Sequence, residues 1–276
     1  MPFPVRSTVD RHAAVLAAAE RLVPPPGVTI ELATVICDPD ASVTGISSVV
    51  GRDPGLAALV LREANSALHS VIGIIDTVEA AVMRVGSGRV LALALGAAVE
   101  GDLDEPLDSY GLEAGQLRAH AVAASRAAEL ILRSSRLIVG REVIVGALLH
   151  DIGKLALTVE LEPDTSGMLR AAGMSATAVE RELIDADHAE VGALIARSWN
   201  LPDTIVELIE QHHAPVSTGA RVVAVADWMA NEVLGDHTAT ALADGEADPR
   251  AVVAALGLDA MIDDLLGQLV TLCADS

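Results

Sequence analysis

The chain is expected to fold as an all-α helical bundle, and three observations predict it. Its 51% apolar content is carried by Ala, Val, Leu and Ile, with aromatics at only 1%, a mixture that packs helix against helix. Apolar residues recur at helical spacing in one segment after another, and no stretch keeps the strict alternation of a half-buried strand. Proline, glycine and short polar capping residues punctuate the segments where helices should start and stop. At 276 residues the chain can bury a core without disulfide or metal staples, as one large domain or two smaller ones.

Taken in order, residues 9–23 form a helix that must stop at Pro24-Pro25-Pro26-Gly27, because proline cannot continue it. Asp53-Pro54 reads as an N-cap followed by proline at the first helical position, opening a helix through Ala64. Asp76 or Thr77 caps the next helix, with Glu79 placed to reach back and Gly86 ending it. Another helix covers 88–100. The acidic, Gly- and Pro-bearing run 101–115 marks a boundary.

Beyond it, Leu117–Ser134 is long and amphipathic, whereas Arg141–Ile152 is apolar nearly all round and expected to be buried. Thr177 to Glu180 spells a capping box for a helix to about Ala186. Helices at His188–Trp199, Asp203–His212 and Thr218–Leu234 follow, and 236–276 holds two short ones. The implied organisation is an N-terminal helical unit at 1–105, a second at 106–235, and a tail at 236–276.

The bulk features exclude several functions. With 18 Lys+Arg against 39 Asp+Glu the net charge is −21, which repels a phosphate backbone or an anionic membrane. The aromatics, Phe3, Tyr110, Trp199 and Trp228, are too few to stack single-stranded bases, and both tryptophans read as packing residues. Nucleic acid and membrane are therefore not expected as partners. Cys37 and Cys273 cannot build a disulfide framework. The first residues, MPFPVRSTVDRHAAV, show no charged stretch followed by an apolar one, so a secretory signal is not expected, and the longest apolar run, Val90–Val99, is half the roughly 20 residues of a membrane span. A cytoplasmic location is expected.

The eight histidines carry the chemistry. His150-Asp151, in LLHDIGK, puts an imidazole and a carboxylate at the end of a buried apolar helix, where an uncompensated charge is costly and a metal or a basic partner is required. Gly153 permits a close turn there, and Lys154 is the one nearby fixed positive charge. His120, His188, the His212-His213 pair and Asp227 lie at intervals that match separate helices. Imidazole with carboxylate is the ligand set of Fe, Mn, Zn or Ni. Seven donors (His120, His150, Asp151, His188, His212, His213 and Asp227) exceed one ion and suit two divalent transition metal ions, with Asp151 bridging. His12, His69 and His237 read as surface or capping residues.

Residues 53–99 resemble the N-terminal portion of the HDOD domain (HD-related output domain), through a DPxL…ANSxxxG-like run. ALLHDIGKLAL, ADHAEVGALIARSWNLPDTIVELIEQHH and VVAVADWMANEV resemble its HD-like portion, so the likeness runs from about residue 22 to 235. It implies an all-α fold and a role in bacterial signalling. His120, His150, Asp151 and Asp227 are similar to the H…HD…D quartet of the HD superfamily of metal-dependent phosphohydrolases. His188, His212 and His213 resemble the additional histidines of HD-GYP cyclic-di-GMP phosphodiesterases, which hold a second metal. Lys154 matches the lysine that contacts substrate phosphate. Two departures stand out. APVSTG follows His213 in place of the GYP-bearing loop, which argues against cyclic-di-GMP as substrate. Gln116, one turn before His120, replaces the glutamate of trinuclear members, which favours two metals over three.

Two readings of function follow. In one the chain is a binuclear phosphohydrolase or phosphodiesterase acting on a nucleotide or cyclic (di)nucleotide, with Asp151 and Lys154 as catalytic residues. In the other it is a non-catalytic signalling module that binds a regulatory protein or small ligand, with any metal structural or sensory. Iron-dependent oxygen chemistry is permitted by the ligands but selected by nothing in the sequence.

Overall fold

In a computed structural model the described residues are 8–66, 74–235 and 246–274. His69, His237, Phe3, the end of the ANSxxxG-like run and part of the 236–276 tail lie outside them. Among the described residues there are helices and a single isolated bridge, Leu107 with Leu112, but no strand, as the composition predicts.

The first helices are α1 (Thr8–Ala19), α2 (Gly27–Cys37), α3 (Val43–Val50), α4 (Pro54–Ala64), α5 (Val78–Val85) and α6 (Ser87–Asp104). After a short turn come α7 (Gln116–Ser134), α8 (Val143–Leu149), α9 (Lys154–Leu157), α10 (Pro163–Ala171), α11 (Ala176–Ile184) and α12 (His188–Ser198). The chain closes with α13 (Asp203–Glu210), α14 (Thr218–Leu234), α15 (Pro249–Ala255) and α16 (Ile262–Ala274).

Local chemistry explains most of the starts. Asp53 Oδ1 accepts from Gly55 N at 2.8 Å and Leu56 N at 3.0 Å, with Pro54 opening α4. Thr77 Oγ1 accepts from Ala80 N at 3.3 Å. Glu79 does not reach back as expected; it accepts instead from Thr44 Oγ1 at 3.5 Å, on α3. That is consistent with its place one residue short of the third helical position, where a capping box needs its acid. α1 ends at Ala19, before the proline run, which leads into α2. The helices at 27–37 and 43–50 have no counterpart in the sequence reading. The first is apolar on most faces, and the second spans only eight residues.

Two buried clusters organise the packing. One gathers α1–α6 with the inner faces of α8, α12 and α13, around Leu32, Leu91, Leu95, Ile152, Leu157 and Ile205. The other joins α7 and α14 to α15 and α16. Alanine lets α7 and α14 lie close: Ala123, Ala124, Ala127 and Ala128 face Ala220, Val223, Ala226 and Ala230. His120 sits on the same stripe as Ala124 and Ala127, and Asp227 on the same stripe as Ala220, Val223 and Ala230, so this pairing sets the two polar residues against each other. Among the described residues no single helix is long and apolar enough to cross a membrane.

Candidate metal centre

Every residue of α8 is buried, and the chain leaves it through a tight turn, His150 to Gly153. There Gly153 is required for space: a Cβ on it would stand 2.0 Å from His188 O and 2.7 Å from Gly192 N. The turn is thus pressed onto the first turn of α12, which brings His150 and Asp151 to His188. That start is fixed by a capping box, in which Asp187 Oδ1 accepts from Glu190 N at 2.9 Å and Asp187 N donates to Glu190 Oε2 at 3.2 Å. Arg181 Nε donates to the other Asp187 oxygen at 2.9 Å. His212 and His213 follow the end of α13, His120 lies in α7 and Asp227 in α14.

All seven sequence-predicted ligands converge. His120 Nε2 is 3.0 Å from Asp227 Oδ1 and 3.2 Å from His150 Nε2. Asp151 Oδ2 is 3.5 Å from His150 Nε2 and 3.6 Å from His120 Nε2. The other oxygen, Oδ1, is 3.2 Å from His188 Nε2, which in turn is 2.8 Å from His213 Nε2. His212 packs among them, its ring 5.0 Å from that of His150 and 4.0 Å from that of His213, centre to centre. Two sets of donor atoms, His120 with His150 and Asp151, and His188 with His212 and His213, each lie within 4.8 Å of one another. Asp151 stands between the two sets.

The outward nitrogens decide which atoms face inward. His150 Nδ1 donates to Ala147 O at 2.8 Å and His212 Nδ1 to Ile209 O at 2.7 Å. His188 Nδ1 donates to the Glu180 carboxylate at 2.8 Å. These bonds fix the ring orientations and turn three Nε2 atoms toward the centre, the arrangement seen around bound metals. His212 Nε2 is buried and has no hydrogen-bond partner among the protein groups, a cost that a bound ion or water on that atom removes. The donors therefore fit divalent metal ions of the imidazole-and-carboxylate class.

Without metal, electrostatics hold the cluster together. Burial opposes the charge on Asp151, yet Lys154, His150 and His188 keep its carboxyl well below the usual range. Burial likewise opposes ionisation of Asp227, and His120 and His150 hold it far down. His188 loses solvation but faces Glu180 and Asp151, which together raise it to about 10. Burial and the neighbouring His150 and His188 push His212 down to about 3, and burial with the neighbouring His212 and His188 pushes His213 down as well. Lys154 Nζ donates to Asp151 Oδ2 at 2.7 Å and lies 5.7 Å from the centre of the Tyr110 ring.

Two residues of the site escaped the sequence reading. Glu180 was expected to cap a helix beginning at Thr177. The N-cap is Ser175, whose hydroxyl accepts from Ala178 N, and Glu180 is fully buried. It accepts from His188 N at 2.8 Å, from His188 Nδ1, and from Tyr110 OH at 2.8 Å. The usable signal was periodicity, since Thr177, Glu180 and Ile184 share one buried stripe and place an acid on an apolar face. Tyr110, read only as a scarce aromatic, completes that carboxylate's hydrogen bonds. Gln116 is exposed and accepts from Glu113 N at 2.7 Å, so it stands outside the cluster. His12 is half-buried in α1 and belongs to neither donor set. Trp199 is a core residue, and Trp228 is half-buried beside Arg250.

Known proteins bear on this geometry. An uncharacterised protein of Treponema pallidum (strain Nichols) is 23% identical over 195 residues, covering 68% of this chain and 37% of the relative. The chain thus spans little more than a third of that relative's length. An HDOD domain protein of unknown function from Geobacter sulfurreducens matches with a TM-score of 0.63 at 22% identity, over 93% of this chain and 97% of that one. A candidate phosphohydrolase from Shewanella amazonensis SB2B matches with a TM-score of 0.59 at 26% identity, over 94% and 98% of the two chains. The HDOD domain model matches residues 22–215, which is most of the sequence and includes six of the seven converging ligands. The chain belongs to the HDOD domain family.

Proposed function

We propose that this HDOD protein is a metal-dependent phosphohydrolase or phosphodiesterase of the HD type, acting on a nucleotide or cyclic (di)nucleotide in a bacterial signalling role. The observation that carries the reading is the position of Asp151, one oxygen beside His120 and His150 and the other beside His188. A first ion would be held by His120, His150, Asp151 and Asp227, and a second by Asp151, His188, His212 and His213. When bound, two divalent ions supply Lewis-acid polarisation of a phosphoryl group and activation of water. The Shewanella relative's description as a candidate phosphohydrolase is in line with this chemistry.

The chain's own residues do the rest. His150 and His212 are locked by backbone carbonyls and His188 by Glu180, so the ligand atoms are oriented before any ion arrives. His150, His188 and His212 are at most 2% exposed, which excludes bulk water and strengthens electrostatic effects. Asp227, Lys154 and His213 are the more open members, at 21%, 16% and 27% side-chain exposure. They form the rim a substrate phosphate would meet. Lys154 swings from Asp151 to a phosphate oxygen there and neutralises charge that builds during transfer. The net charge of −21 does not forbid an anionic ester, because divalent ions dominate the local field once bound. The expected location is the cytoplasm, where Cys37 and Cys273 remain thiols.

Protein loaded with Mn, Fe or Ni should hydrolyse bis-p-nitrophenyl phosphate or a cyclic dinucleotide, and Asp151→Ala should abolish it. If metal-loaded wild type is as inert as Asp151→Ala over a broad panel, the enzymatic reading fails. One observation favours a second reading, a non-catalytic module with a structural or sensory metal: Lys154 is engaged by Asp151 at 2.7 Å, which takes up the charge a substrate phosphate would need. Stoichiometric metal with specific capture of a partner protein, and no hydrolysis, is the result that reading expects.

A further inference from the structure

The sequence holds one lysine, Lys154, and one tyrosine, Tyr110; every other member of its Lys+Arg total is arginine. The two single residues meet. Lys154 Nζ lies over the Tyr110 ring, 5.7 Å from its centre. Tyr110 is 8% exposed, and the Lys154 side chain has little more solvent. A cation over an aromatic face is drawn to the ring's negative quadrupole, and the attraction strengthens where water is excluded. The ring thus holds the ammonium from the side opposite to nothing else that is acidic than Asp151, whose Oδ2 accepts from Nζ at 2.7 Å.

The other end of the same ring does something different. Tyr110 OH donates to Glu180 Oε1 at 2.8 Å, and that carboxylate accepts from His188 N and His188 Nδ1, each at 2.8 Å. A charge-assisted bond to a carboxylate with no solvent exposure is among the stronger kinds of hydrogen bond. The backbone that carries the ring is itself pinned. Ser109 O accepts from Ser166 Oγ at 2.7 Å and from Arg170 Nη1 at 2.6 Å, both on α10, and the Ser109 hydroxyl pairs with that of Thr158 at 2.8 Å. Leu107 and Leu112 close the turn by exchanging backbone bonds of 2.9 and 3.2 Å. The turn between α6 and α7 therefore presents one aromatic side chain, in a fixed pose, to both sides of the metal centre.

We infer that Tyr110 is a positioning residue with two separable duties: its hydroxyl holds Glu180, and through it the His188 ring, while its ring face holds Lys154 beside Asp151. The consequence for metal affinity rests on the two-ion reading above, since a second ion is what would use His188 Nε2. The placement of His188 and Lys154 does not rest on it. Tyr110→Phe removes the first duty and keeps the second; Tyr110→Leu removes both.

The test is nuclear magnetic resonance of the metal-free full chain, followed by calorimetric titration with manganese. Lysine isotopically labelled at Cε gives a single side-chain signal in this sequence. In the wild type and in Tyr110→Phe that signal should be displaced upfield by the ring current, and in Tyr110→Leu it should return to an ordinary position. In histidine-labelled protein the His188 ring signals, assigned by their loss in His188→Gln, should move in Tyr110→Phe. Those of His150 and His212, locked by backbone carbonyls, should stay. With manganese, Tyr110→Phe should weaken the second ion about tenfold, the lower end of the effect of disturbing a ligand's support, and leave the first unchanged. An ordinary Lys154 signal in the wild type overturns the inference without any variant having to fold. Unmoved His188 signals, or an unchanged second-ion affinity, in Tyr110→Phe would overturn it as well. A wild type that takes up fewer than two ions would sink the two-ion reading, and the metal-free spectra then decide the positioning by themselves.

Discussion

Replacing Glu180 by Gln keeps the side chain's shape and removes its charge, in a position with no solvent exposure. In the wild type that carboxylate accepts from His188 N, His188 Nδ1 and Tyr110 OH. The amide keeps one acceptor oxygen and adds an NH2 facing groups that are themselves donors. At least one of the three bonds is lost, and the interaction with the His188 imidazole drops from charge-assisted to neutral. Changes to groups that orient metal ligands cost about 10–100-fold in affinity, or about 1.4–2.7 kcal/mol. The second ion should carry that loss, since His188 belongs with His212 and His213, while the ion held by His120, His150 and Asp227 should bind as before. A separate signature follows from the proton on His188. Glu180 is a principal reason that imidazole titrates near 10, so Glu180→Gln should release fewer protons on metal uptake near neutral pH. Both quantities come from calorimetry in buffers of different ionisation enthalpy. The capping variant Glu190→Gln is the control, because it weakens the start of α12 without touching Glu180. Wild-type affinity and wild-type proton release in Glu180→Gln would refute the positioning argument.

Other expectations are as direct. Metal affinity should rise with pH from 6 toward 9, because a proton on His188, lost only near 10, competes with the ion; an affinity flat across that range would contradict it. For the metal-free protein, the depressed carboxylates of Asp151, Asp187 and Asp227 contribute stability above the usual carboxylate range. That stability is lost as pH falls through their lowered folded values, so the melting temperature should drop steeply in acid. Gly153→Ala drives a Cβ to 2.0 Å from His188 O. It should cost at least the ~1–3 kcal/mol typical of overpacking and pull His188 from Asp151, seen as a lower melting temperature together with weaker metal binding. Lys154→Met should keep both ions but lower phosphodiesterase turnover by about 10²–10³, the usual effect of losing one preorganised charge.

The helices with strong punctuation were readable from sequence because their physics is local. Asp53-Pro54, Thr77 and the proline run need no tertiary information. The convergence of the seven candidate donors was foreshadowed because histidine beside aspartate at a buried helix end calls for a metal or a basic partner. What escaped was set by tertiary contacts. Glu180 obeys a capping pattern in sequence, but the true cap lies at Ser175 and the side chain is claimed by His188, which belongs to another helix. The pressing of Gly153 onto the α12 backbone depends on the crossing of two helices and leaves no periodic trace.

On the reading proposed above, one bridging carboxylate and six surrounding donors would form a two-ion centre. Anomalous-difference diffraction from crystals of the manganese-loaded protein tests it most directly. Two peaks per chain flanking Asp151 are expected, one beside His120, His150 and Asp227 and one beside His188, His212 and His213. A single peak, or none among these residues at saturating metal, would contradict it.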